Sequence, residues 1–194
     1  AGGADENLIS SGIVLDAGLS HTYLVEVIVS LDEDAASPQS MKCPAPGEAG
    51  GLANTATLTH NGEQQSDDAC ASLPLIDITK SLSGAVSPVD GEPGVYDATY
   101  EITVTNSGPA AGRYDLDDEL APGTGVRILS IRSVTSDAPE AVAINAGFDG
   151  ITDSRIVSDQ PIAAAEEVLV THTYAVTVRY AADLSGIEIS DSES

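Results

Sequence analysis

The sequence predicts an all-β fold of the antiparallel β-sandwich type. Apolar and polar residues alternate along most of its apolar segments, which is the period of a strand with one buried face. Turn signals separate these segments at short intervals, and no stretch shows the 3.6-residue period of a capped helix. In addition, one strand motif occurs twice, which indicates a module that is repeated within the chain.

The repeated motif is the strand His-Thr-Tyr-Leu-Val-Glu-Val at residues 21–27. It recurs as His-Thr-Tyr-Ala-Val-Thr-Val at residues 172–178, 151 positions later, and its upstream flank at 4–10 aligns with 152–158 at an offset of 148. When the chain is aligned with itself at these offsets, residues 1–43 are duplicated by about 149–194, whereas residues 44–148 occur once. We therefore predict two incomplete repeats: the first lacks its opening strands, and the second lacks the segment that carries the cysteines.

The strands are predicted from alternation and from the turns between them. Tyr23, Val25, Val27 and Val29 share one face, and the same arrangement occurs along 174–180 and along 100–104. Further predicted strands are Ala53 to Thr59, Leu75 to Thr79, Val126 to Val134 and Ala141 to Ile144. The predicted turns are Asn61-Gly62, Asp90-Gly91, Pro93-Gly94, Ser107-Gly108-Pro109 and Pro122-Gly123.

The domain boundary is predicted near Ser72-Leu73-Pro74. A hairpin ends before this link, and a new strand starts after it. We therefore expect residues 1–72 to be the C-terminal part of one sandwich repeat. Residues 73–194 are expected to be a second repeat that lacks its closing strand or strands.

Composition excludes several classes of partner. Thirty-one acidic residues against seven basic ones give a formal net charge of −24, which repels nucleic acid and anionic lipid. The apolar runs are far shorter than the ~20 residues needed to cross a bilayer, and the chain begins without a basic, apolar leader. We expect no nucleic-acid partner and no membrane insertion. The dispersed acidity predicts a solvated extracellular surface, or alternatively salt tolerance or multivalent cation binding.

Cys43 and Cys70 are the only cysteines, and both lie in loop-like sequence. The chain offers no further cysteine or nearby histidine cluster for a tetrahedral zinc site. We predict a disulfide between them, and therefore export from the cytosol. The alternative is a pair of reduced cysteines in a cytosolic protein.

Several motifs, in their order along the chain, resemble a known family. They are Leu-Ala-Asn-Thr-Ala-Thr-Leu-Thr at 52–59, Ile-Thr-Lys-Ser at 78–81, the strand and turn at 96–108, Leu-Asp-Asp-Glu-Leu-Ala-Pro-Gly at 116–123 and the Asn-to-Asp stretch at 145–153. Together they resemble the conserved-repeat domain of bacterial and archaeal surface proteins. The resemblance implies immunoglobulin-like sandwiches in tandem, a cell-surface or secreted stalk, no enzymatic activity and no catalytic residues.

Lys80 is the first candidate for a functional side chain. If Ile76 and Ile78 face the core, alternation directs Lys80 inward too, where an ammonium needs an acidic or covalent partner. Asp118 shares inward parity with its apolar neighbours and could pair with it. Three interpretations stay open: a side chain that reaches water, a salt bridge to Asp118, or an isopeptide bond to an asparagine. For the isopeptide, the candidate asparagines are Asn54 and Asn106.

The second candidate is a calcium site formed by Asn145, Asp149 and Asp153. Three oxygen-bearing side chains four residues apart, with glycines between them, could wrap a hard cation. An exposed turn explains the same residues without metal. The acidic clusters at 32–34 and 115–119 are weaker candidates. No other cofactor is expected.

The predicted function is an extracellular structural or stalk module, and the alternative is an adhesin that recognises a glycan or protein through its loops. The sequence contains no Gly-x-Ser-x-Gly nucleophile motif, and the equivalent histidines His21 and His172 mark a structural position at a strand start. The expected partners are neighbouring repeats or identical subunits. An identical subunit could contribute a missing strand by strand addition, although a chain cut within its repeats explains the same phase mismatch.

Overall fold

A computed structural model describes residues 8–32, 34–45, 48–138 and 143–182. The described residues fall into two compact units, one within 8–32 and the other within 34–182, and each unit is treated by itself below. All regular secondary structure in the described chain is β-strand, and every strand pair is antiparallel. The prediction of an all-β protein with antiparallel sheets is therefore confirmed.

The first unit is extended chain that contains one turn. The Leu19 N–H donates a hydrogen bond of 3.1 Å to the Asp16 carbonyl oxygen, and Gly18 supplies the φ of +80° that this turn requires. No strand forms between residues 8 and 32, so the strand predicted around residues 21–29 is not present as such. The physical reason is that a strand needs hydrogen-bonding neighbours, and no described strand pairs with this segment.

The second unit begins with a disulfide-closed hairpin. Strand β1 (Asn54–His60) pairs with β2 (Glu63–Ala69), and both strands are exposed along their whole length. Asn61 and Gly62 have φ values of 53° and 82°, as a two-residue type I′ turn requires, so the hairpin predicted at this turn is confirmed.

The predicted disulfide is present at the base of this hairpin. Cys43 and Cys70 are bonded with their Cα atoms 5.8 Å apart, within the normal range for a disulfide. Two hydrogen bonds accompany it: the Leu52 N–H donates to the Ala71 carbonyl (2.8 Å), and the Cys43 N–H donates to Ser72 Oγ (3.1 Å).

The rest of the second unit consists of two sheets. The larger sheet has the strand order β3-β5-β9-β7, with the short β4 pairing beside β3 along the same edge of β5, and the smaller sheet pairs β6 with β8. The strands are β3 (Ile76–Leu82), β4 (Ser87–Pro88), β5 (Val95–Asn106), β6 (Gly112–Asp117), β7 (Val126–Ser136), β8 (Arg155–Ile162) and β9 (Val170–Ala182).

The inner faces of the two sheets supply one common core, an arrangement consistent with a β-sandwich. Strand β9 is central in the larger sheet, and its inward residues Tyr174, Val176 and Val178 have no exposed surface. Burial of apolar surface of this kind is the main force that holds two sheets together. The other buried core residues are Ile102, Val104, Leu116, Leu120, Phe148, Ile156, Val157 and Ile162.

The outer face of the larger sheet is joined by polar cross-strand pairs. Arg179 in β9 lies directly opposite Asp97 in β5, and its guanidinium makes two hydrogen bonds of 2.8 Å to the two carboxylate oxygens. This pairing lowers the pKa of Asp97. Two residues further along β5, on the same face of the sheet, Thr99 and Thr177 share a hydrogen bond of 2.9 Å.

The predicted strands match the structure unevenly. The segments Ala53 to Thr59, Leu75 to Thr79 and Val126 to Val134 correspond to β1, β3 and β7. For the predicted strand Ala141 to Ile144, residues 141–142 lie outside the described residues and 143–144 belong to no strand. Strands β6 and β8 were not predicted, and their pairing contains bulges at Leu116 that break the regular alternation.

Candidate functional site

Lys80 and Asp118 form an ion pair between the two sheets. The Lys80 Nζ lies 2.5 Å from Asp118 Oδ1, and the side chain of Asp118 is 5% exposed, whereas that of Lys80 is 36% exposed. The ammonium also lies 4.7 Å from the centre of the Tyr100 ring, within the range of a cation–π contact. Of the three interpretations, the structure contains the salt bridge.

The positions of these two residues follow from their strands. Lys80 lies opposite Ile102 in the β3–β5 ladder, and Asp118 follows directly after β6. The main chain of Asp118 is fixed by an N–H donated to the Ser154 carbonyl (2.8 Å). Its second carboxylate oxygen, Oδ2, is buried and has no hydrogen-bond partner in the described chain. The nearly buried carboxylate of Asp118 therefore has one oxygen that is paired with Lys80 and one that has no hydrogen-bond partner in the described chain.

Asn106 has a different role from the one considered in the sequence. It is fully buried at the end of β5, and all four of its hydrogen-bonding positions are used. Its Oδ1 accepts from the N–H groups of Leu75 (3.1 Å) and Gly108 (3.0 Å), and its Nδ2 donates to the carbonyls of Ala110 (2.8 Å) and Ala163 (2.7 Å). Every polar atom of Asn106 is thus engaged away from Lys80.

Two further observations concern Gly108, which lies beside Asn106, and Asn54, which lies elsewhere. Gly108 is required there because a Cβ on this residue would lie 2.3 Å from the main-chain nitrogen of Leu75. Asn54, the other asparagine considered as a partner of Lys80, lies in β1, where it pairs with Ala69 in the separate two-stranded hairpin. An isopeptide bond at Lys80 stays a prediction.

An open groove of about 460 Å³ lies beside the ion pair. The Tyr100 and Tyr180 hydroxyls are 3.1 Å apart in its wall, and burial, together with the Tyr100 hydroxyl, raises the pKa of Tyr180. The side chains that give the groove its character are Lys80, Tyr96, Tyr100, Leu120, Pro122 and Tyr180. Several rings around one concave surface are a feature of carbohydrate- and protein-binding sites. Sequence alternation did not predict this groove.

A second polar cluster lies deeper, where β6 faces β9. The Tyr114 hydroxyl is 2.8 Å from His172 Nδ1 and 2.6 Å from the Tyr174 hydroxyl, and His172 is buried. Burial raises the pKa of both tyrosines, with the neighbouring phenol adding to the effect on Tyr114. The cluster fixes the distance between two strands from opposite sheets, so His172 has the structural position that the repeat predicted.

The proposed calcium residues form a loop with its own hydrogen bonds. Asp149 Oδ1 accepts from the N–H groups of Ile151, Thr152 and Asp153, and its Oδ2 accepts from Thr152 Oγ1. These donors lower the pKa of Asp149 well below its usual range. Asn145 Nδ2 in turn donates to Asp153 Oδ2 (2.8 Å). Calcium binding here stays a prediction.

The weaker acidic candidates are placed as follows. Within the cluster at 115–119, Asp115 and Asp117 both pair with Arg155. The hydrogen bond from the N–H of Asp159, and after it the one from Arg155, lowers the pKa of Asp115. The cluster at 32–34 includes Glu33, which lies outside the described residues. Across the described ranges, no group of three or more His, Cys, Asp or Glu side chains is placed to hold a metal ion.

Comparison with known proteins returned no relative. No protein-family model matches the chain, and neither the curated proteins nor the solved structures contain a significant match. Among the residues that the structure describes, no helix is long and apolar enough to span a membrane. The disulfide is compatible with an extracellular location.

Proposed function

We propose that this chain is part of an extracellular stalk built from immunoglobulin-like sandwich modules in tandem. The observation that carries the proposal is the repeated strand, which occurs once as the buried centre of a sheet and once in a separate unit. A module copied along a chain is typical of scaffolds and surface appendages, in which each copy contacts its neighbours. The resemblance to the conserved-repeat domain of surface proteins supports the same function.

Two properties of the chain support the location. A disulfide persists in oxidising compartments, and Cys43 and Cys70 form one. The net charge of −24 keeps such a chain hydrated and repels neighbouring acidic surfaces. We assign no reaction to the protein, since the charged clusters of the second unit are engaged in ion pairs and hydrogen bonds that hold its strands together.

The location can be tested by immunogold microscopy on intact cells of the producing organism. Antibodies raised against residues 73–182 should label the outside of unpermeabilised cells at a reproducible distance from the envelope. Deleting the segment from the parent gene should shorten that distance for an epitope placed at the outer side of it. Labelling that requires permeabilised cells would contradict the proposal.

An adhesin is the second candidate, and the aromatic groove favours it. Tyr96, Tyr100 and Tyr180 are half-buried around a concave surface, so they have apolar area left for a ligand. A glycan array probed with the whole chain should then show a selective signal that Tyr96→Ser removes. Glu101→Gln, on the opposite and exposed face of β5, is the matched control and should leave binding unchanged. A blank array favours the stalk.

A further inference from the structure

The first unit has the residue pattern of the inner face of a sandwich strand, but the apolar side chains of that face are exposed. Five of the seven residues at 21–27 are identical to those at 172–178, so each position has a known counterpart in β9. Val176 is 0% exposed in β9, whereas its counterpart Val25 is 55% exposed. Tyr174 and Val178 are likewise fully buried, and their counterparts Tyr23 and Val27 are exposed. The same side chains therefore have opposite environments.

The preceding segment shows the same reversal. With the offset of 148, Leu8 and Ile9 correspond to Ile156 and Val157 of β8, which are buried in the core. Val14 corresponds to Ile162; Val14 is 81% exposed and Ile162 is 2% exposed. The turn that ends at Leu19 takes the place of the loop between β8 and β9. The whole first unit therefore corresponds to the strand pair β8–β9.

Residues 19–31 lack, in the extended and exposed state that the structure shows, the burial that stabilises β9. Each inward side chain of β9 is stabilised by its burial, because apolar surface is removed from water. Moreover, β9 is central, so its main-chain groups are hydrogen-bonded to β5 on one side and to β7 on the other. Residues 19–31 have the side chains for such a place and lack both neighbours within the described residues.

We propose that residues 8–31 are the β8–β9 strand pair of a second sandwich, and that residues 19–31 dock between two strands of the β5 and β7 type in another module of the same repeat. The residues that surround β9 in this structure define what the other module must present to residues 19–31. It should present residues like Tyr100 and Ile102 on one side, and like Val134 on the other. It should also carry a phenol in the place of Tyr114, which bonds the counterparts of His21 and Tyr23.

A second copy of this chain is a poorer occupant than a separate module. Its own β9 already lies between β5 and β7, and the inward residues of that strand are completely buried. Residues 19–31 could enter only by displacing β9, which would lose as much buried surface as it gained. The inference rests on the tandem-module part of the proposed function and adds the identity and register of the contact.

The test is a chain in which residues 73–148 are duplicated and joined directly before Ala1. This junction keeps the phase of the repeat, because Ala1 takes the place of Asp149. The added segment carries counterparts of β3 to β7 but not of β8 or β9. We expect amide exchange of residues 19–31 to slow by at least about 100-fold relative to the original chain. Unchanged exchange in the extended chain overturns the proposal.

Matched substitutions separate a specific fit from general shielding. Val25→Asp lies on the inward face and should abolish the protection of residues 19–31 in the extended chain. Leu24→Asp lies on the outward face, at the place of Ala175 in β9, and should leave the protection intact. Equal effects of the two substitutions would contradict the proposed face.

A designed disulfide tests the register. In β9, Thr173 lies opposite Thr103, and Thr22 is the counterpart of Thr173. Thr22→Cys should therefore cross-link to Thr103→Cys when the latter is placed in the added segment. Glu26→Cys, whose counterpart lies opposite Thr99, is displaced by four residues, roughly 13 Å, and should not cross-link.

Two other outcomes have defined meanings. Covalent dimers of the original chain that carries Thr22→Cys and Thr103→Cys would show that a second copy exchanges strands, which overturns the choice of occupant. Unprotected residues 19–31 together with immunogold labelling of the cell surface would reject this inference and leave the stalk in place. Protected residues together with purely internal labelling would reject only the location.

Discussion

The Asn106 side chain donates a hydrogen bond of 2.7 Å to the main-chain oxygen of Ala163, which connects the last residue of β5 to the loop after β8. Strand β5 belongs to the larger sheet, and the loop that contains Ala163 follows β8 of the smaller sheet. Since the same side chain also accepts from Leu75 and Gly108, one amide fixes the start of β3, the turn after β5 and the loop after β8. A fully satisfied buried amide of this kind orients strands as well as stabilising them.

Replacing Asn106 should be the most damaging single polar change in the second unit. Asn106→Ala leaves two N–H groups and two carbonyls without their partner, so we expect a loss of about 2–4 kcal/mol in the free energy of unfolding. Urea denaturation monitored by circular dichroism measures it. Asn54→Ala, at an exposed position of β1, is the control and should change stability by less than about 0.5 kcal/mol.

The ion pair of Lys80 and Asp118 can be examined by comparing a variant that removes one charge with a variant that replaces both residues. Lys80→Ala leaves a nearly buried carboxylate unpaired, and we expect a loss of about 1–3 kcal/mol, a range reduced because Lys80 is partly exposed to water. Changing both residues, Lys80→Met with Asp118→Leu, removes the buried charge as well and should restore most of the stability. A double variant as unstable as Lys80→Ala would show that Asp118 has another essential contact.

Removing one hydroxyl from the tyrosine–histidine cluster should reduce stability by a smaller amount. Tyr114→Phe removes a hydroxyl that lies within hydrogen-bonding distance of both His172 and Tyr174, so we expect a loss of about 1–2 kcal/mol. Tyr96→Phe, in the wall of the open groove, should have little effect on thermal stability. A comparable loss from both variants would indicate that the cluster has no special part in joining β6 to β9.

Removal of the disulfide should act locally. In a Cys43→Ala, Cys70→Ala variant, we expect faster amide exchange across β1 and β2, because the hairpin is exposed along its length and is closed at its base by this bond. The core strands β5 and β9 should keep their exchange rates. Loss of protection in β9 as well would show that the hairpin and the sandwich unfold as one cooperative unit.

Acid should destabilise the second unit through aspartates whose pKa values are lowered in the folded state. Asp97, Asp115 and Asp149 are of this type. Because the pKa is lowered in the folded state, each ionised carboxylate stabilises the fold. This stabilisation is present above the unfolded pKa near 3.8 and is lost as the pH falls below it toward the folded pKa. The melting temperature should therefore drop mainly as the pH goes from about 4 to about 2, between the unfolded pKa and the lower folded values. Asp149→Asn should reduce this drop, and an unaltered pH profile would contradict the assignment.

How far the sequence predicted this fold depended on how local each feature was. The hairpin turn at Asn61-Gly62 and the inward parity of Tyr174 are set by residues close in sequence, and both were predicted. Strand β8 was missed because it contains the polar run Ser158-Asp159-Gln160, with Asp159 at a φ of +51°. The inward direction expected for Lys80 assumed that Ile78 faces the core, but Ile78 is 53% exposed, since it lies on the edge strand β3.

The candidate site was predicted in part for the same reason. Alternation along β3 made a salt bridge to Asp118 one of three open interpretations of Lys80, and the structure contains that pair. The function of Asn106 and the groove between Tyr100 and Tyr180 depend on which strands become neighbours, and this is decided by pairing over distances of 30 to 80 residues. The motif at residues 21–27 makes the same point: it shares five of seven residues with 172–178, yet only the copy with flanking strands forms a strand.

The bond between Cys43 and Cys70 also determines how the chain would respond to mechanical tension. Force applied between the two ends would pass directly from Cys43 to Cys70, so the 27-residue step between them, including β1 and β2, would bear no load. Reduction would release roughly 85 Å of additional contour length for each such bond. In a stalk, this bond would make the length under pulling a function of the redox state of the surroundings.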